Sequence, residues 1–299
     1  MHFIVNRTAG SGKCGECFDL VRKYLDERKI NYTFDVTTCR GDEKSLTEKA
    51  VSLGNKLIIA AGGDGTVRGV ASVLLGTDIV LGILPFGTGN DLVKPLKIPT
   101  LPIEAIKNII SGFVKKLDAG RINGKAFFNI AGIGFDVDVL VETERYKSKL
   151  GLNGMLPYFL GILSSILGKK KIPMKITLDD ETVERDILLI DIANGTYFGG
   201  GMLVAPDSDP FDGYFDVVMI KDVGFFRFLA LLPKFIKGTH INYRDVVTVK
   251  RAKKVSINAM NNEEYPIQMD GEIDDVTPVS VEMIKGAVNI IVPEAADEV

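Results

Sequence analysis

Three glycine-rich stretches carry the residue types that hold a polyphosphate. The first, Gly62-Gly63-Asp64-Gly65-Thr66, follows the apolar run Leu57-Ile58-Ile59-Ala60-Ala61 and precedes a helix-like segment, Val67 to Leu75. Glycines at such a junction let backbone amides turn toward a ligand, and a helix N-terminus adds partial positive charge. Asp64 repels a phosphate directly but suits a Mg²⁺ ion beside one. An Asp-Gly turn capping a helix would account for Gly65, but not for a Gly-Gly pair at a strand end. The second stretch, Pro85-Phe86-Gly87-Thr88-Gly89-Asn90-Asp91, also follows a buried-type run. In a parallel sheet both loops lie at the carboxyl edge, where α/β folds bind ligands. The third, Asn6 to Gly15, contains glycines at 10, 12 and 15 in the spacing of a dinucleotide loop, with Asp35 placed for a ribose. Four residues separate its strand from Gly10, which weakens that reading. Gly12-Lys13 hints at a P-loop, yet Cys14 stands where Ser or Thr belongs and Arg7 where a glycine belongs.

Further along, Asp270-Gly271-Glu272 is either a hairpin turn, for which Asp-Gly is a strong signal, or the source of a general base. Both can hold at once. Cys14 and Cys17 form a C-x-x-C pair, but only Cys39, His2 and His240 remain as partners for zinc. Two ordinary helix residues are the favoured reading, with an oxidisable thiol pair as the alternative. Met155 to Gly168 is uncharged and leads into Lys169-Lys170-Lys171, while Val223 to Lys237 mixes aromatic and aliphatic residues with Arg227, Lys234 and Lys237. Each is either a packed helix or an interfacial docking element.

Around these residues the chain of 299 amino acids has room for two domains. Its first third alternates strand and helix signals: Phe3-Ile4-Val5, a helix with Phe18, Val21 and Leu25, then Tyr32–Thr38, Glu43–Leu53, Leu57–Ala61, Val67–Leu75, Ile79–Leu84 and Pro102–Ser111. That rhythm predicts an α/β layer with a parallel sheet. Later segments are β-rich: Ala126–Ile130, Met174–Leu178, Arg185–Ala193, Tyr214–Ile220, Val246–Ala259, Tyr265–Met269, Val279–Ile284 and Val288–Val292. They predict a mostly antiparallel β domain interrupted by helices near 152–168 and 224–238. The expected division is 1–120 and 121–299, with a C-terminal tail able to return to the first domain. A net charge of −3 argues against a nucleic-acid partner. There is no signal-peptide pattern and no long uncharged apolar run, and the three cysteines give no disulfide framework. A cytoplasmic protein without a transmembrane segment is expected. Oligomeric state leaves no sequence signal.

Taken together, Asn6-x-x-x-Gly10, Gly62-Gly63-Asp64-Gly65-Thr66 and Pro85-x-Gly87-Thr88-x-Asn90-Asp91 resemble the bacterial lipid kinases of the diacylglycerol kinase and sphingosine kinase superfamily. The likeness continues through Asp118-Ala119-Gly120, Gly199-Gly200-Gly201-Met202, Ala205-Pro206-Asp207, Asp212-Gly213-Tyr214 and Asp270-Gly271-Glu272. It implies an NAD-kinase-like α/β nucleotide domain, a β-sandwich for the lipid, and ATP in the cleft between them. ATP would contact Asn6, Arg7, Thr8, Ala9, Gly10, Thr37, Gly63, Asp64, Gly65, Thr66, Val67, Arg68, Gly69 and Thr88. Asp64 and Asp91 would hold a catalytic Mg²⁺; Asp212, with backbone oxygens of Asp209 and Tyr214, would hold a second. Asp270 would be the base, with Glu272 orienting it or sharing the role. The acceptor would be a membrane lipid such as diacylglycerol, reached by peripheral association. Two departures stand out: Arg7 replaces a proline, and Arg68-Gly69 replaces a polar-acidic pair, removing a carboxylate beside the nucleotide. An NAD-kinase-like enzyme and a non-catalytic lipid- or nucleotide-binding relative are the competing readings.

Overall fold

A computed structural model describes residues 1–151, 156–168 and 171–294, the side chains of Leu167 and Phe225 excepted. Met155, Lys169 and Lys170 of the first apolar segment lie outside the described residues. The chain divides into two units, one from Met1 to Asp118 together with the segment that starts at Lys285, the other from Ala119 to Ile284.

The first unit is an α/β layer. Its elements are β1 (His2–Val5), α1 (Lys13–Glu27), β2 (Thr33–Val36), α2 (Asp42–Ser52), β3 (Leu57–Gly62), α3 (Asp64–Leu74), β4 (Val80–Pro85) and α4 (Pro102–Ser111). Strand β5 (Phe113–Ile122) leads out of it. The sheet order is β2-β1-β3-β4, closed by the late part of β18 (Val279–Val292), which pairs parallel to β4 through Asn289 and Ile290. β3 and β4 are buried along nearly their whole length, as a strand covered on both faces must be. Proline at the first turn opens α4, which buries Ala105, Ile106 and Ile109 on one face. Phe3 and Phe18 pack edge-to-face at 5.3 Å in a core that also takes Val21, Leu25, Leu84 and Ile291. Cys14 belongs to that core. Its Sγ donates to the Ala61 carbonyl, and burial first, then Cys17, pushes its pKa up to about 12. An exposed, oxidisable pair is therefore not what Cys14 and Cys17 form; they are helix residues.

The second unit is a mostly antiparallel β-sandwich. It comprises β6 (Lys125–Phe127), β7 (Ile130–Gly134), α5 (Phe135–Leu150), α6 (Leu156–Gly168), β8 (Ile172–Leu178), β9 (Glu181–Ile187) and β10 (Leu189–Ala193). There follow β11 (Tyr197–Phe198), β12 (Met202–Leu203), β13 (Phe215–Ile220), α7 (Phe225–Ile236), a 3-10 turn, β14 (Val247–Ala252), β15 (Lys254–Ala259), β16 (Pro266–Met269) and β17 (Glu272–Val276). One sheet runs β14-β13-β10-β7-β16-β17; the other layer is the early part of β18 with β15, β8 and β9. Alternation does the sorting. Ile172, Met174, Ile176 and Leu178 of β8 meet Ile133, Ile190, Ile192, Val217 and Ile267 of the facing sheet. The other face of that sheet packs under Phe135 and Val139 of α5, Ile162 of α6 and Phe228 of α7.

One helix is not anticipated and two expectations change. Phe135-Asp136-Val137-Asp138-Val139 alternates like a strand but begins helix α5, whose later turns carry the i,i+3 pairs Glu142–Arg145 and Glu144–Lys147. Arg185–Ala193 is two strands in different sheets, parted at Leu188. Val279–Val292 is one strand rather than two, with Gly286 at φ +62 and its N–H given to Asp118 Oδ1 at 2.6 Å. No helix among the described residues is long and apolar enough to cross a membrane. Phe127 and Phe215 stack at 5.7 Å, both fully buried. Phe215→Ala is expected to cost about 3–5 kcal/mol in chemical denaturation; a loss below about 1 kcal/mol would mean that the sandwich core is not tightly packed there.

Candidate active site

Strand register assembles the glycine loops. Val5 pairs with Ala61 and Ala61 with Leu84, so the chain leaves β1, β3 and β4 at one edge of the sheet. The loops then touch main chain to main chain. A Cβ on Gly87 would run into Gly63, and one on Gly10 (φ +61) into the carbonyl of Phe86. No other residue allows this approach. Side chains lock it further. Asn6 donates to Thr66 Oγ1 at 3.3 Å and accepts from the Thr8 N–H and hydroxyl. Asn90 accepts from Gly87 N–H at 3.0 Å and donates to the carbonyls of Pro85 and Gly87.

Asp64 opens α3, and its Oδ1 accepts the Asp91 N–H at 2.8 Å. The residue is half-buried and its carboxyl closely surrounded, so burial first, then the charge of Asp91, raises its pKa to about 6. Asp91 is itself buried and ion-paired to Lys94 at 2.6 Å. Two neighbouring carboxylates, one held above its ordinary range by the other, are a fit for a divalent cation bound mainly through ligand phosphates. Of the other expected contacts, Thr37 gives its N–H to the Val5 carbonyl, and Thr88 is exposed. Val67 is a core residue that gives its N–H to the Gly63 carbonyl. Arg7 turns away to Asp19 at 2.9 Å and lies over Gly15.

The Arg68-Gly69 departure has a structural answer. A Cβ on Gly69 would fall inside the side chain of Glu43, from the first turn of α2. Glu43 thus takes the space that a side chain at position 69 would need. The sequence held one signal for it: a glycine inside a helix, where alanine costs less.

In the second unit, Asp270 (φ +52) and Gly271 (φ +85) make the turn of the β16–β17 hairpin, with Met269 opposite Glu272. The Asp270 carboxylate accepts three backbone N–H groups, from Phe128 at 2.9 Å, Asn129 at 2.8 Å and Ile130 at 3.2 Å. A carboxylate has about four acceptor positions, so Asp270 is first of all a clamp on the approach to β7. Glu272, half-buried, begins β17.

The residues expected at the second ion site engage one another and two cations. Asp212 Oδ1 accepts the Tyr214 N–H at 2.9 Å, and its Oδ2 pairs with the Arg251 guanidinium. Arg251 and Lys253 both lie over the Tyr214 ring. The Asp209 side chain accepts the Phe211 N–H, and its carbonyl faces the Asp212 N–H. A Mg²⁺ ion at this place would have to compete with Arg251 for the Asp212 carboxylate. Among the described residues there is no group of three or more His, Cys, Asp or Glu side chains that could hold a metal.

Sequence reasoning missed Asp136 and Asp191. Both line a cavity of about 40 Å³ whose walls are otherwise mostly apolar, formed by Phe135, Val139, Ile162, Leu189 and Phe228 among others. Burial drives both pKa values up, and for Asp191 the charge of Asp136 adds to it. The only signal was an acid placed between two isoleucines, Ile190 and Ile192, in a strand pattern.

Loops of this kind on a parallel sheet, ahead of an antiparallel sandwich, define a kinase of NAD-kinase-like build. Residues 1–122 match the diacylglycerol kinase catalytic domain, and residues 129–292 the YegS C-terminal NAD kinase beta sandwich-like domain. A diacylglycerol kinase of Mycobacterium tuberculosis is 32% identical over 259 residues, covering 84% of this chain and 82% of the relative. One from Bacillus subtilis is 30% identical over 299 residues, covering 99% and 97%. The crystal structure of a putative diacylglycerol kinase from Bacillus anthracis superposes with a TM-score of 0.81 at 28% identity, covering 98% of this chain and 97% of that one. The chain belongs to the diacylglycerol kinase family and is a lipid kinase.

Asp64 offers a test of its own. Its raised pKa means the folded state loses stability as pH rises from about 4 through about 6, where Asp64 ionises in place. Asp64→Asn keeps an acceptor for the Asp91 N–H and removes the charge. The unfolding free energy from urea titration at pH 7.5 should rise by an amount on the order of 1–3 kcal/mol, with little change at pH 4. Equal stability of both proteins at pH 7.5 would contradict the assignment.

Proposed function

We propose that this chain transfers the γ-phosphate of ATP to the hydroxyl of diacylglycerol or a closely related membrane lipid. The main-chain contact of the three glycine loops at one sheet edge is the observation that supports it best. Asn6–Gly10 and Gly63–Gly69, with Thr37 and Thr88, orient the triphosphate, and Asp64 and Asp91 hold the metal. Mg²⁺, when bound, supplies charge neutralisation on the phosphates. Phosphoryl transfer asks little else of a protein beyond one acceptor for the incoming hydroxyl's proton. That acceptor comes from the Asp270-Gly271-Glu272 turn, where backbone N–H groups hold the Asp270 carboxylate in place and Glu272 begins the next strand. The hydroxyl oxygen bonds to phosphorus, its proton passes to carboxylate, and ADP leaves.

Transfer of labelled phosphate to a panel of diacylglycerol, ceramide, sphingoid base, phosphatidylglycerol and NAD tests the reading. Diacylglycerol is expected to be labelled, and both Asp64→Ala and Glu272→Gln to lower kcat by about a hundredfold or more. Labelling of NAD alone would overturn it.

The acceptor is met at a membrane. Phe226 is 84% exposed and Ile236 58%, both on α7, beside the cations Arg227, Lys234 and Lys237, and Leu156 and Phe159 of α6 are exposed as well. Apolar side chains flanked by cations dock on anionic lipid. Replacing Phe226 and Lys234 with Ser should weaken co-sedimentation with phosphatidylglycerol vesicles and spare turnover of a short-chain acceptor. Unchanged sedimentation would make α7 an ordinary packed helix.

A further inference from the structure

Three adjacent strands place Asp191, Gly132 and Gln268 in one row. Asp191 of β10 is paired with Gly132 of β7, and Gly132 with Gln268 of β16. Directly paired residues of an antiparallel sheet point to the same face, here the face covered by α5, α6 and α7. Gly132 has no side chain to fill the middle of the row. A Cβ there would run into Asp136 Oδ2 and Asp191 Oδ1, so the carboxyl of Asp136, from the first turn of α5, drops into the gap beside Asp191. Gln268 is fully buried, and Asp136 and Asp191 are 6% and 3% exposed.

The polar atoms in this row are not all satisfied. Asp136 Oδ1 and Oδ2, Asp191 Oδ1 and Gln268 Nε2 have no hydrogen-bond partner at normal geometry. Gln268 has one firm bond: its Oε1 accepts the Gly271 N–H at 2.9 Å. That bond fixes the amide's orientation. With Oε1 turned to Gly271, Nε2 faces the other way, where the amide lies close enough to Asp136 to favour its charged form. A buried amide that accepts at one end and donates at the other suits a place between a backbone N–H and an acid pair. Glutamate in its place would set a third carboxyl against two others.

We propose that Gln268 is a positioning residue for the phosphoryl-transfer reaction. Packed in one row with Asp191 and beside the Asp136 carboxyl that fills the gap at Gly132, it fixes the Gly271 N–H, and with it the turn that carries Asp270 and Glu272. This rests on the reading that the turn supplies the base. It also gives the buried acids a use: the turn is exposed at Gly271, and its anchor lies inside the unit. Asp270 is clamped from the β7 side by three N–H groups and Gly271 from the β16 side by Gln268, so the turn is held at two consecutive residues.

The test combines amide exchange with kinetics on the full chain. Gln268→Met removes both functions of the amide at similar length. It is expected to speed exchange at the Gly271 N–H about tenfold or more. It should also lower kcat for diacylglycerol about tenfold or more, while the KM for ATP stays within about twofold. Gln268→Glu keeps an acceptor for Gly271 but adds an acid, and should lose activity. Adding Asp191→Asn to it restores the count of acids and should recover at least about half of the lost kcat on a logarithmic scale, a rescue that mere filling of space does not predict. Wild-type kcat in Gln268→Met overturns the proposal, as does a fall in kcat with Gly271 exchange unchanged. If Gln268→Met does not fold, as judged by thermal melting, the rescue decides, and no recovery in the double variant overturns it. If the wild-type protein labels no lipid, the lipid-kinase reading fails separately. The exchange arm then still judges the link from Gln268 to Gly271.

Discussion

Gly63 and Gly87 meet with no side chain between them, and the first unit is organised around that contact. Two loops that leave neighbouring parallel strands ordinarily diverge, because side chains at their tips need room. Here the strands are in register, the tips are bare, and the backbones close on each other with Gly10 against Phe86 beside them. The result is a surface of amides rather than of side chains, which is what a polyanion requires. Asn6, Thr66 and Asn90 serve this surface from behind, each bonded within or between the loops. The close approach also brings Asp64 and Asp91 together, so the charge of Asp91 adds to the burial that raises the pKa of Asp64.

The chain meets the problem of enclosed negative charge in four different ways. Asp64 has its pKa raised to about 6, by burial first and then by Asp91, and lies beside a second carboxylate able to share a cation. Asp212 is matched by Arg251. Asp270 is surrounded by backbone N–H groups. Asp136 and Asp191 press against each other over Gly132, where burial favours their protonated forms. These solutions are not interchangeable. A carboxylate paired with arginine must give up that partner to take another, and one bonded to three amides is stiff. The chemistry each acid can perform is therefore set by its partners rather than by its residue type.

Much of this was legible from sequence because it rests on local rules. Pro102–Ser111 announces a helix by its first-turn proline and apolar spacing, and it forms at those residues. The glycine loops could be read because only glycine meets their steric demand. What escaped depends on distant residues meeting. Glu43 and Gly69 share one volume from two helices, and Asp136, Asp191 and Gln268 converge from a helix and two strands. No spacing rule links such positions. The start of α5 was hidden for a different reason. Phe135-Asp136-Val137-Asp138 has a strand's alternation, but Asp136 is polar and buried, so its period reports the acid pair rather than a solvent face. Leu188 concealed a change of sheet for the opposite reason, since an apolar run continues unbroken across it.

Strand β18 carries a consequence for the order in which the molecule is made. The sheet of the first unit ends at β4 until residues near Asn289 and Ile290 pair with it, and those residues follow the whole of the second unit in the chain. On a ribosome, β4 therefore emerges with its apolar edge, Leu81 and Ile83, unpaired. It must stay so while more than half of the protein is translated. An open edge of that kind invites pairing with other nascent chains. The sandwich has no such wait for most of its strands, since β7, β10, β13, β14, β16 and β17 are synthesised within it. Synthesis thus favours completion of the later unit first, with the nucleotide-loop sheet closed by one of the last strands to appear.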